Sequence, residues 1–309
     1  MGKRGIRTRN KKPLWFLEYL LVMSAIQIIR LLPFGTAVRI GGVIGGLLYR
    51  LDKRHRKIAR ENIGSCFKGM GAAEVESTAR SVFVNLGYTI VEFIHSGRYG
   101  KAPLEKYFNI VNYEAFEKAN SKGRGVLCLT GHCGNWELMA LVHSIKGNPS
   151  GVVVRPVDNP YIDRFVTRLR SMYGNTMINK KGGMRDMLRT LREGRSVGVL
   201  LDQNVTASEG VFVDFFGRPS CTNKGMALIA ARTNAPVIPM FTHRIAPGKN
   251  EIIYMDEIPL ADTGDKEADM VANTQNYTRA IEDFIRKYPD QWFWMHRRWK
   301  SRPEDAVNA

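Results

Sequence analysis

Apolar residues are distributed unevenly along the chain, and the N-terminal segment stands apart from the rest. A nearly continuous apolar run extends from Leu14 to Leu32, interrupted by four polar residues, Glu18, Ser24, Gln27 and Arg30. About 20 apolar residues can cross the hydrocarbon core of a bilayer. Six basic residues precede the run, at Lys3, Arg4, Arg7, Arg9, Lys11 and Lys12. Basic flanks stay on the cytoplasmic side, and the polar interruptions predict a tilted or half-embedded anchor helix at about 14–32.

A cleaved signal peptide is the alternative interpretation of this run. No small-residue cleavage site follows it, because Gly35-Thr36-Ala37 is a poor substitute, so the pattern favours a retained anchor. The next segment, Pro33 to Leu51, is apolar and rich in glycine, and a burst of basic residues follows it up to Arg60. This segment predicts either a second element lying on an anionic membrane surface or a buried helix whose small residues allow close packing.

Beyond residue 60, short apolar runs alternate with amphipathic segments, which is typical of an α/β fold. Helices are predicted at 72–96, 135–145, 161–173, 184–192, 223–233 and 266–288. Strands are predicted at 125–130, 151–155, 176–178, 196–201, 211–215, 237–242 and 251–255. No internal repeat and no Pro-, Gly- or Ser-rich linker divides this part of the chain. The expected organisation is a membrane-binding segment at 1–60 and one α/β domain at 61–309.

The charge and the cysteines narrow the classes of function. A formal net charge of +17 implies an anionic partner, for which nucleic acid, an anionic bilayer and an acidic carrier protein all qualify. The positive charge is concentrated beside apolar segments rather than on a basic and aromatic face, which argues against nucleic acid. The four cysteines, Cys66, Cys128, Cys133 and Cys221, show no CxxC spacing and predict free thiols.

The strongest chemical signal is the stretch from Thr130 to Glu137, where a buried strand ends and a helix begins. Open α/β sheets bind ligands at such carboxyl ends of strands. Gly131 and Gly134 permit a turn that would bring His132 and Glu137 together. We expect Glu137 to accept the Nδ1 proton of His132, so that Nε2 acts as a general base toward a hydroxyl that the substrate supplies.

Two other chemistries involve the neighbouring cysteine. Cys133 would be the nucleophile of a hydrolase acting on thioesters, although adjacent residues usually point apart. A zinc site made by His132, Cys133 and Glu137 lacks a second ligand pair with a usable spacing, so no metal is expected.

Several sequence blocks resemble one family. His132 and Glu137 match the HX4(D/E) signature of the lysophospholipid acyltransferase superfamily, and GHCGNWE is most similar to the lipid A late acyltransferases of Gram-negative bacteria. Further blocks follow in that family's order: Arg155-Pro156 with Asp158-Asn159-Pro160, Leu201 to Asn204, Val211 to Gly217, Ala235 to Pro239 and Gln291 to Trp299. The resemblance covers nearly the whole chain. Cys133 departs from a commonly aromatic position and Asp214 from a frequent proline, and both would alter the acyl groove.

The resemblance implies a mixed central sheet flanked by helices, as in glycerol-3-phosphate acyltransferase. It also implies transfer of a fatty acyl chain from acyl carrier protein to a hydroxyl of a lipid A precursor at the cytoplasmic face of the inner membrane. The donor would carry the acyl group on its phosphopantetheine, so no cofactor of the enzyme's own is expected. Coenzyme A as the donor, another lipid as the acceptor, the chain length and the acceptor position stay open.

Other blocks supply the remaining candidate residues. Arg155 and Asn159 are candidates for binding either the oxyanion formed by thioester attack or a phosphate of donor or acceptor. Asp202 and Gln203 end a neighbouring strand, where they would support His132 or bind the acceptor sugar.

The C-terminal region carries aromatic and basic clusters. Phe215-Phe216-Gly217 is expected in the core and groove lining, whereas Trp292, Trp294 and Trp299 either pack the last helix or lie at a headgroup interface. An acidic carrier is expected to contact one of two basic patches, one at Arg297, Arg298, Lys300 and Arg302 and the other at Lys180 and Lys181.

Overall fold

The computed structural model describes residues 12–304. Five of the six basic residues of the predicted N-terminal flank, Lys3, Arg4, Arg7, Arg9 and Lys11, lie outside the described residues. Four helices precede the first strand: α1 (Lys12–Leu31), α2 (Phe34–Leu51), α3 (Lys53–Cys66) and α4 (Ala72–Ile94). Short 3-10 turns follow at Ser96–Lys101 and Leu104–Lys106.

The rest of the described chain alternates strands and helices. The strands are β1 (Phe108–Val111), β2 (Val126–Thr130), β3 (Gly151–Val154), β4 (Thr176–Asn179), β5 (Ser196–Leu200), β6 (Gly210–Asp214), β7 (Pro219–Asn223), β8 (Val237–Ala246) and β9 (Lys249–Tyr254). The helices are α5 (Tyr113–Asn120), α6 (Trp136–Ile145), α7 (Pro160–Arg170), α8 (Met184–Arg192), α9 (Gly225–Thr233) and α10 (Lys266–Lys287), with a 3-10 turn at Pro289–Gln291.

Seven strands form the central sheet in the order β1-β9-β8-β2-β5-β3-β4, and β6 and β7 form a separate antiparallel hairpin. Strands β2, β3, β4, β5 and β8 are parallel, whereas β9 is antiparallel to β8 and β1 is parallel to β9. The prediction of an α/β fold with a mixed sheet is therefore confirmed. The parallel strands place the carboxyl ends of β2, β5 and β3 side by side.

Helices cover both faces of the sheet because β2 is apolar on both sides, as is typical of a central parallel strand. Leu127 and Leu129 pack with α3, α4, α9 and α10, while Val126 and Cys128 pack with α5 and α6 on the other face. Fully burying an aliphatic side chain contributes about 1.5–3 kcal/mol. This double burial makes β2 a rigid support for the loop that follows it.

Helix α2 packs against α4 through glycines. The Cβ of an alanine at Gly87 would lie 2.0 Å from the carbonyl oxygen of Gly41, and one at Gly45 would lie 2.2 Å from that of Phe83. The interpretation of the segment as a helix with small residues for close packing is confirmed on this face. The opposite face exposes apolar side chains, at Ile40, Val43, Ile44, Leu47, Leu48 and Leu51.

Helix α1 lies against the domain and exposes most of its apolar residues. Among the described residues it is the one helix with the length and composition to cross a membrane, a test that a signal sequence also passes. Its polar interruptions make contacts: Glu18 accepts a hydrogen bond from Asn159 (3.0 Å), and Arg30 donates to the carbonyl oxygen of Ile94 (3.1 and 3.2 Å). Tyr161 of α7 packs edge-on against Phe16.

Most predicted elements are present, with ends shifted by a few residues. Four helices and strands were not predicted: α3, β1, α5 and β7. Strand β1 lies at the edge of the sheet and alternates buried and exposed residues over only four positions, which is too short for a clear period.

Candidate active site

Two neighbouring strands bring the central polar pair together. Strands β2 and β5 are parallel and in register, with Thr130 opposite Leu200. The pairing continues past the strand ends, because the Leu201 N–H donates to the carbonyl oxygen of Thr130 (3.0 Å). His132 and Asp202 each lie two residues beyond their strand and therefore meet at the same edge of the sheet.

Asp202 holds His132 through both side chain and backbone. Its Oδ1 lies 2.8 Å from His132 Nδ1, and its Oδ2 accepts from the His132 backbone N–H (2.8 Å) and from Trp292 Nε1–H (2.7 Å). Burial alone would raise the pKa of Asp202, but the charge of His132 and these hydrogen bonds lower it below its usual value. Asp202 is thus a buried carboxylate that fixes the Nδ1–H tautomer of His132 and leaves Nε2 unprotonated, so that it can act as a base.

The loop carrying His132 is held on both sides by backbone contacts. The Phe293 N–H donates to the carbonyl oxygen of His132 (3.1 Å), and the Gly134 N–H donates to that of Gln291 (2.8 Å). Gly134 has φ +53°, and a Cβ there would lie 2.2 Å from the carbonyl oxygen of Thr242. Glycine is therefore required for both the turn and the close approach to β8.

Glu137 does not contact Nδ1 of His132, so the predicted orientation of His132 by Glu137 is wrong in the structure. Asn135 caps α6 by accepting from the Leu138 N–H (3.2 Å), so Glu137 lies in the first helical turn. There it accepts from Arg170 of α7, with Nε 2.8 Å from Oε2 and Nη2 2.5 Å from Oε1. The physical reason is that α6 turns Glu137 toward α7, whereas strand register delivers Asp202 to His132.

His132 opens into a cavity of about 470 Å³ at this edge of the sheet. The side chain of His132 is 20% exposed, and Trp136 packs edge-on against its ring with 5.0 Å between ring centroids. Polar lining residues include Glu137, Arg170, Arg155, Lys180 and Gln203, and the apolar ones include Val152, Val199, Leu200 and Met226. The cavity therefore combines a base, a mainly apolar wall and a few polar groups, as small-molecule sites do.

The structure places the two predicted oxyanion or phosphate ligands, Arg155 and Asn159, in different environments. Arg155 lines the cavity but is exposed and pairs with Asp158 (2.9 Å). Asn159 is buried outside the cavity lining: its oxygen caps α7, and its amide donates to the Trp15 carbonyl oxygen (2.8 Å) and to Glu18. The prediction of Asn159 as an oxyanion or phosphate ligand is therefore contradicted, because these contacts use its polar atoms.

Of the two interpretations given for the Asp202-Gln203 pair, support of His132 fits the geometry. Asp202 makes the contacts described above, and Gln203 places its amide nitrogen 3.4 Å from His132 Nε2.

The buried cysteine and aromatic residues serve the core. Burial and the charge of Asp202 raise the pKa of the Cys133 thiol, whose side chain is outside the cavity lining. Trp292 and Trp294 are buried, as is Phe215, so their packing interpretation is confirmed. Arg298 is also buried, where it donates to the carbonyl oxygen of Cys221 (2.8 Å) and to Thr222, and it is not available for docking. No group of His, Cys, Asp and Glu within residues 12–304 is arranged to hold a metal ion.

Two residues of the site were missed in the sequence. Arg170 lines the cavity and donates a hydrogen bond to Glu137, and Trp292 donates one to Asp202. His132 lies two residues past the predicted strand at 125–130 and Asp202 one residue past that at 196–201, and these similar positions were a signal for their pairing. No local pattern connects Arg170 or Trp292 to the motif.

Comparison with known proteins identifies the family. The sequence profile of the bacterial lipid A biosynthesis acyltransferases matches residues 7–301. A lipid A biosynthesis lauroyltransferase of Escherichia coli K12 is 26% identical over 293 residues, which cover 94% of each chain. A palmitoleoyltransferase of the same organism is 26% identical, covering 88% of this chain and 87% of the relative, and a myristoyltransferase is 22% identical, covering 85% and 81%. The His132 motif and the later sequence blocks lie within this match, which spans nearly the whole chain. The chain therefore belongs to the bacterial lipid A biosynthesis acyltransferase family.

Proposed function

We propose that this acyltransferase moves a fatty acyl chain from a thioester donor to a hydroxyl of a lipid A precursor or a related glycolipid, with His132 as the general base. The observation that carries the proposal is the His132–Asp202 pair, in which His132 lines the cavity, Nδ1 is fixed by Asp202 and Nε2 is left unprotonated. The names of the relatives support the acceptor, since each is a lipid A biosynthesis enzyme.

The reaction follows from the positions of these groups. Nε2 of His132 takes the hydroxyl proton as the acceptor oxygen attacks the thioester carbonyl, which forms a tetrahedral oxyanion. The buried charge of Asp202 stabilises the imidazolium. Collapse of the intermediate breaks the carbon–sulfur bond, and the leaving thiolate takes the proton back from His132. The products are an acylated lipid and a free thiol.

The oxyanion and the acyl chain have candidate contacts in the same cavity. The Gln203 amide and the Arg155 guanidinium are the donors that we assign to the region of the oxyanion, where one donor typically contributes about 2.7–4 kcal/mol. The acyl chain is assigned to the apolar wall that includes Val152, Val199 and Met226. The relatives carry lauroyl, palmitoleoyl and myristoyl in their names, so family membership leaves the chain length open.

We also propose an acyl donor and a cellular location for the enzyme. A net charge of +17 supports an acidic acyl carrier protein, whose phosphopantetheine carries the acyl group, with coenzyme A as the alternative. The exposed apolar faces of α1 and α2 support attachment to a membrane, with the catalytic domain on the cytoplasmic face of the inner membrane. An anionic bilayer would add attraction for the basic residues of α3.

A thioesterase that uses Cys133 as its nucleophile is not favoured, because this thiol is 2% exposed and its pKa is raised. The test uses the full-length enzyme in neutral detergent with acylated carrier protein and a lipid A precursor, and mass spectrometry follows the lipid. His132→Ala should slow formation of the acylated lipid by roughly 10²–10⁴-fold, whereas Cys133→Ala should transfer acyl chains at the wild-type rate. Wild-type enzyme that releases free fatty acid without acylating any lipid would refute the proposed function.

A further inference from the structure

A second pocket, of about 560 Å³, adjoins the catalytic cavity and shares Lys180 and Val205 with it. Its basic lining residues come from three distant parts of the chain: Arg54, His55, Lys180, His296, Arg297 and Lys300. Glu209 is the single acid among its lining residues in the described part of the chain. The fold therefore gathers positive charge next to His132 from segments that are far apart in sequence.

The cations of this pocket are not neutralised by the protein. Arg54, Lys180, Arg297 and Lys300 make no ion pair with another residue in the range 12–304, and all four are exposed. Like charges held together repel, and a bound anion relieves that repulsion.

His296 adds a neutral polar group to the same pocket. Burial lowers its pKa to about 4, so the ring is uncharged at neutral pH. Its Nδ1 is buried and has no hydrogen-bond partner among the described residues. A buried polar atom without a partner is uncommon, and a ligand in this pocket would supply one.

We propose that this pocket binds a phosphate group of the lipid acceptor and so holds the acceptor while its hydroxyl reaches His132. The inference rests on the proposed function. Phosphate suits the pocket because it offers several strong acceptor oxygens to Arg, Lys and imidazole donors. Asn204 and Thr206 supply further polar groups in the lining.

The position of the pocket favours a lipid as the source of the phosphate. Arg54 lies three residues after Leu51, the last residue of the exposed apolar face of α2. The basic rim thus adjoins the surface that we assign to the membrane. Phe293 connects the two sites, since it lines the phosphate pocket and its ring centroid lies 6.3 Å from that of His132. One glycolipid can therefore occupy both.

The test compares the double variant Arg297→Gln/Lys300→Gln with a matched control, Arg279→Gln/Lys118→Gln, in the full-length protein. Both doubles remove two exposed charges, and neither control residue lines the pocket or forms an ion pair with a described residue. With a phosphorylated acceptor in neutral micelles, the pocket variant should raise the KM for the acceptor by roughly 10- to 100-fold at nearly unchanged kcat, and the control should not.

Removing the phosphates of the acceptor should abolish the difference between the wild type and the pocket variant. If the difference persists without the acceptor phosphates, the pocket does not bind them. The same conclusion follows if the pocket variant raises the KM for a phosphopantetheine donor alone and leaves unchanged the KM for a donor analogue that lacks the phosphate. Calorimetry with inorganic pyrophosphate gives a readout without catalysis: the wild type and the control should bind it, and the pocket variant should not. Equal KM values in active enzymes would refute this pocket alone, whereas a wild type without acyl transfer would refute the proposed function.

Discussion

The substitution Asp202→Asn tests which carboxylate orients the general base. In the structure Oδ2 accepts two N–H groups and Oδ1 lies 2.8 Å from His132 Nδ1. An asparagine that keeps its oxygen for the two N–H donors turns its NH2 group toward Nδ1. That donor requires Nδ1 to be an acceptor, so the ring proton moves to Nε2, which can no longer act as a base.

The magnitude follows from losing the base while keeping the cavity. A positioned general base contributes roughly 10²–10⁴-fold, and an orienting carboxylate replaced by its amide costs about 10⁴-fold in a comparable triad. We expect kcat to fall by roughly 10³–10⁴, or about 4–5.5 kcal/mol of transition-state stabilisation. The KM should change little, because Asp202 does not line the cavity.

Glu137→Gln is the matched control, since it removes one negative charge from the same site. The partner of Glu137 is Arg170, and the amide of the variant would still offer that guanidinium an acceptor oxygen. We expect the Nδ1–H tautomer to survive and the loss of kcat to be at least tenfold smaller than for Asp202→Asn. Steady-state transfer rates and the ¹⁵N shifts of labelled His132 measure both effects. A Glu137→Gln enzyme that is as slow as Asp202→Asn and has the Nε2–H tautomer would refute the reasoning.

Four further predictions concern the anchor, the thiol, the helix packing and the buried carboxylate. Deleting residues 1–32 should release the protein from membranes in a high-salt sedimentation assay, and complete retention would place the attachment elsewhere. A thiol reagent applied to the native enzyme should modify Cys133 slowly and leave acyl transfer intact; rapid inactivation that Cys133→Ala abolishes would contradict this. Gly87→Ala should lower the free energy of unfolding by about 1–3 kcal/mol, read as a lower Tm, because its Cβ would meet the carbonyl oxygen of Gly41 at 2.0 Å. Because the pKa of Asp202 is lowered in the folded state, its ionised form stabilises the fold. This stabilisation is complete above the usual pKa of about 4 and is lost as the pH falls toward the lower folded-state pKa. The wild type should therefore have a higher Tm than Asp202→Asn at neutral pH, and the difference should shrink below about pH 4.

The sequence was sufficient for six of the seven strands of the central sheet and for the base, but it did not predict the edge strand β1 or decide between Glu137 and Asp202 as the partner of the base. The apolar runs of β2 and β5 predicted strands, and the glycines predicted a turn at His132, because these features are local. The pairing of His132 with Asp202 depends on two strands 70 residues apart lying in register. A motif spacing contains no information about that register, and it therefore favours the nearer Glu137.

The positions of the basic side chains likewise depend on tertiary structure that the sequence does not report. The sequence predicts Lys180 and the basic residues after Trp294 as alternative patches, yet the fold puts Lys180, Arg297 and Lys300 around one pocket. Proximity in sequence places Arg298 in the same predicted patch, although its side chain is buried against β7. Side-chain direction in the irregular segment after α10 is set by tertiary packing, and no periodicity reports it.

The contact between Asn159 and α1 gives the N-terminal helix a second role. Asn159 joins α1 to the first turn of α7, and the last residue of α7, Arg170, closes the wall of the cavity. Hydrogen bonds therefore connect α1 to the helix that ends at the cavity wall, and if α1 is the membrane anchor that we propose, these contacts should fix the orientation of the cavity relative to the bilayer. We expect an unrelated spanning helix in its place to restore membrane attachment without restoring this orientation, so that attachment and turnover should be separable.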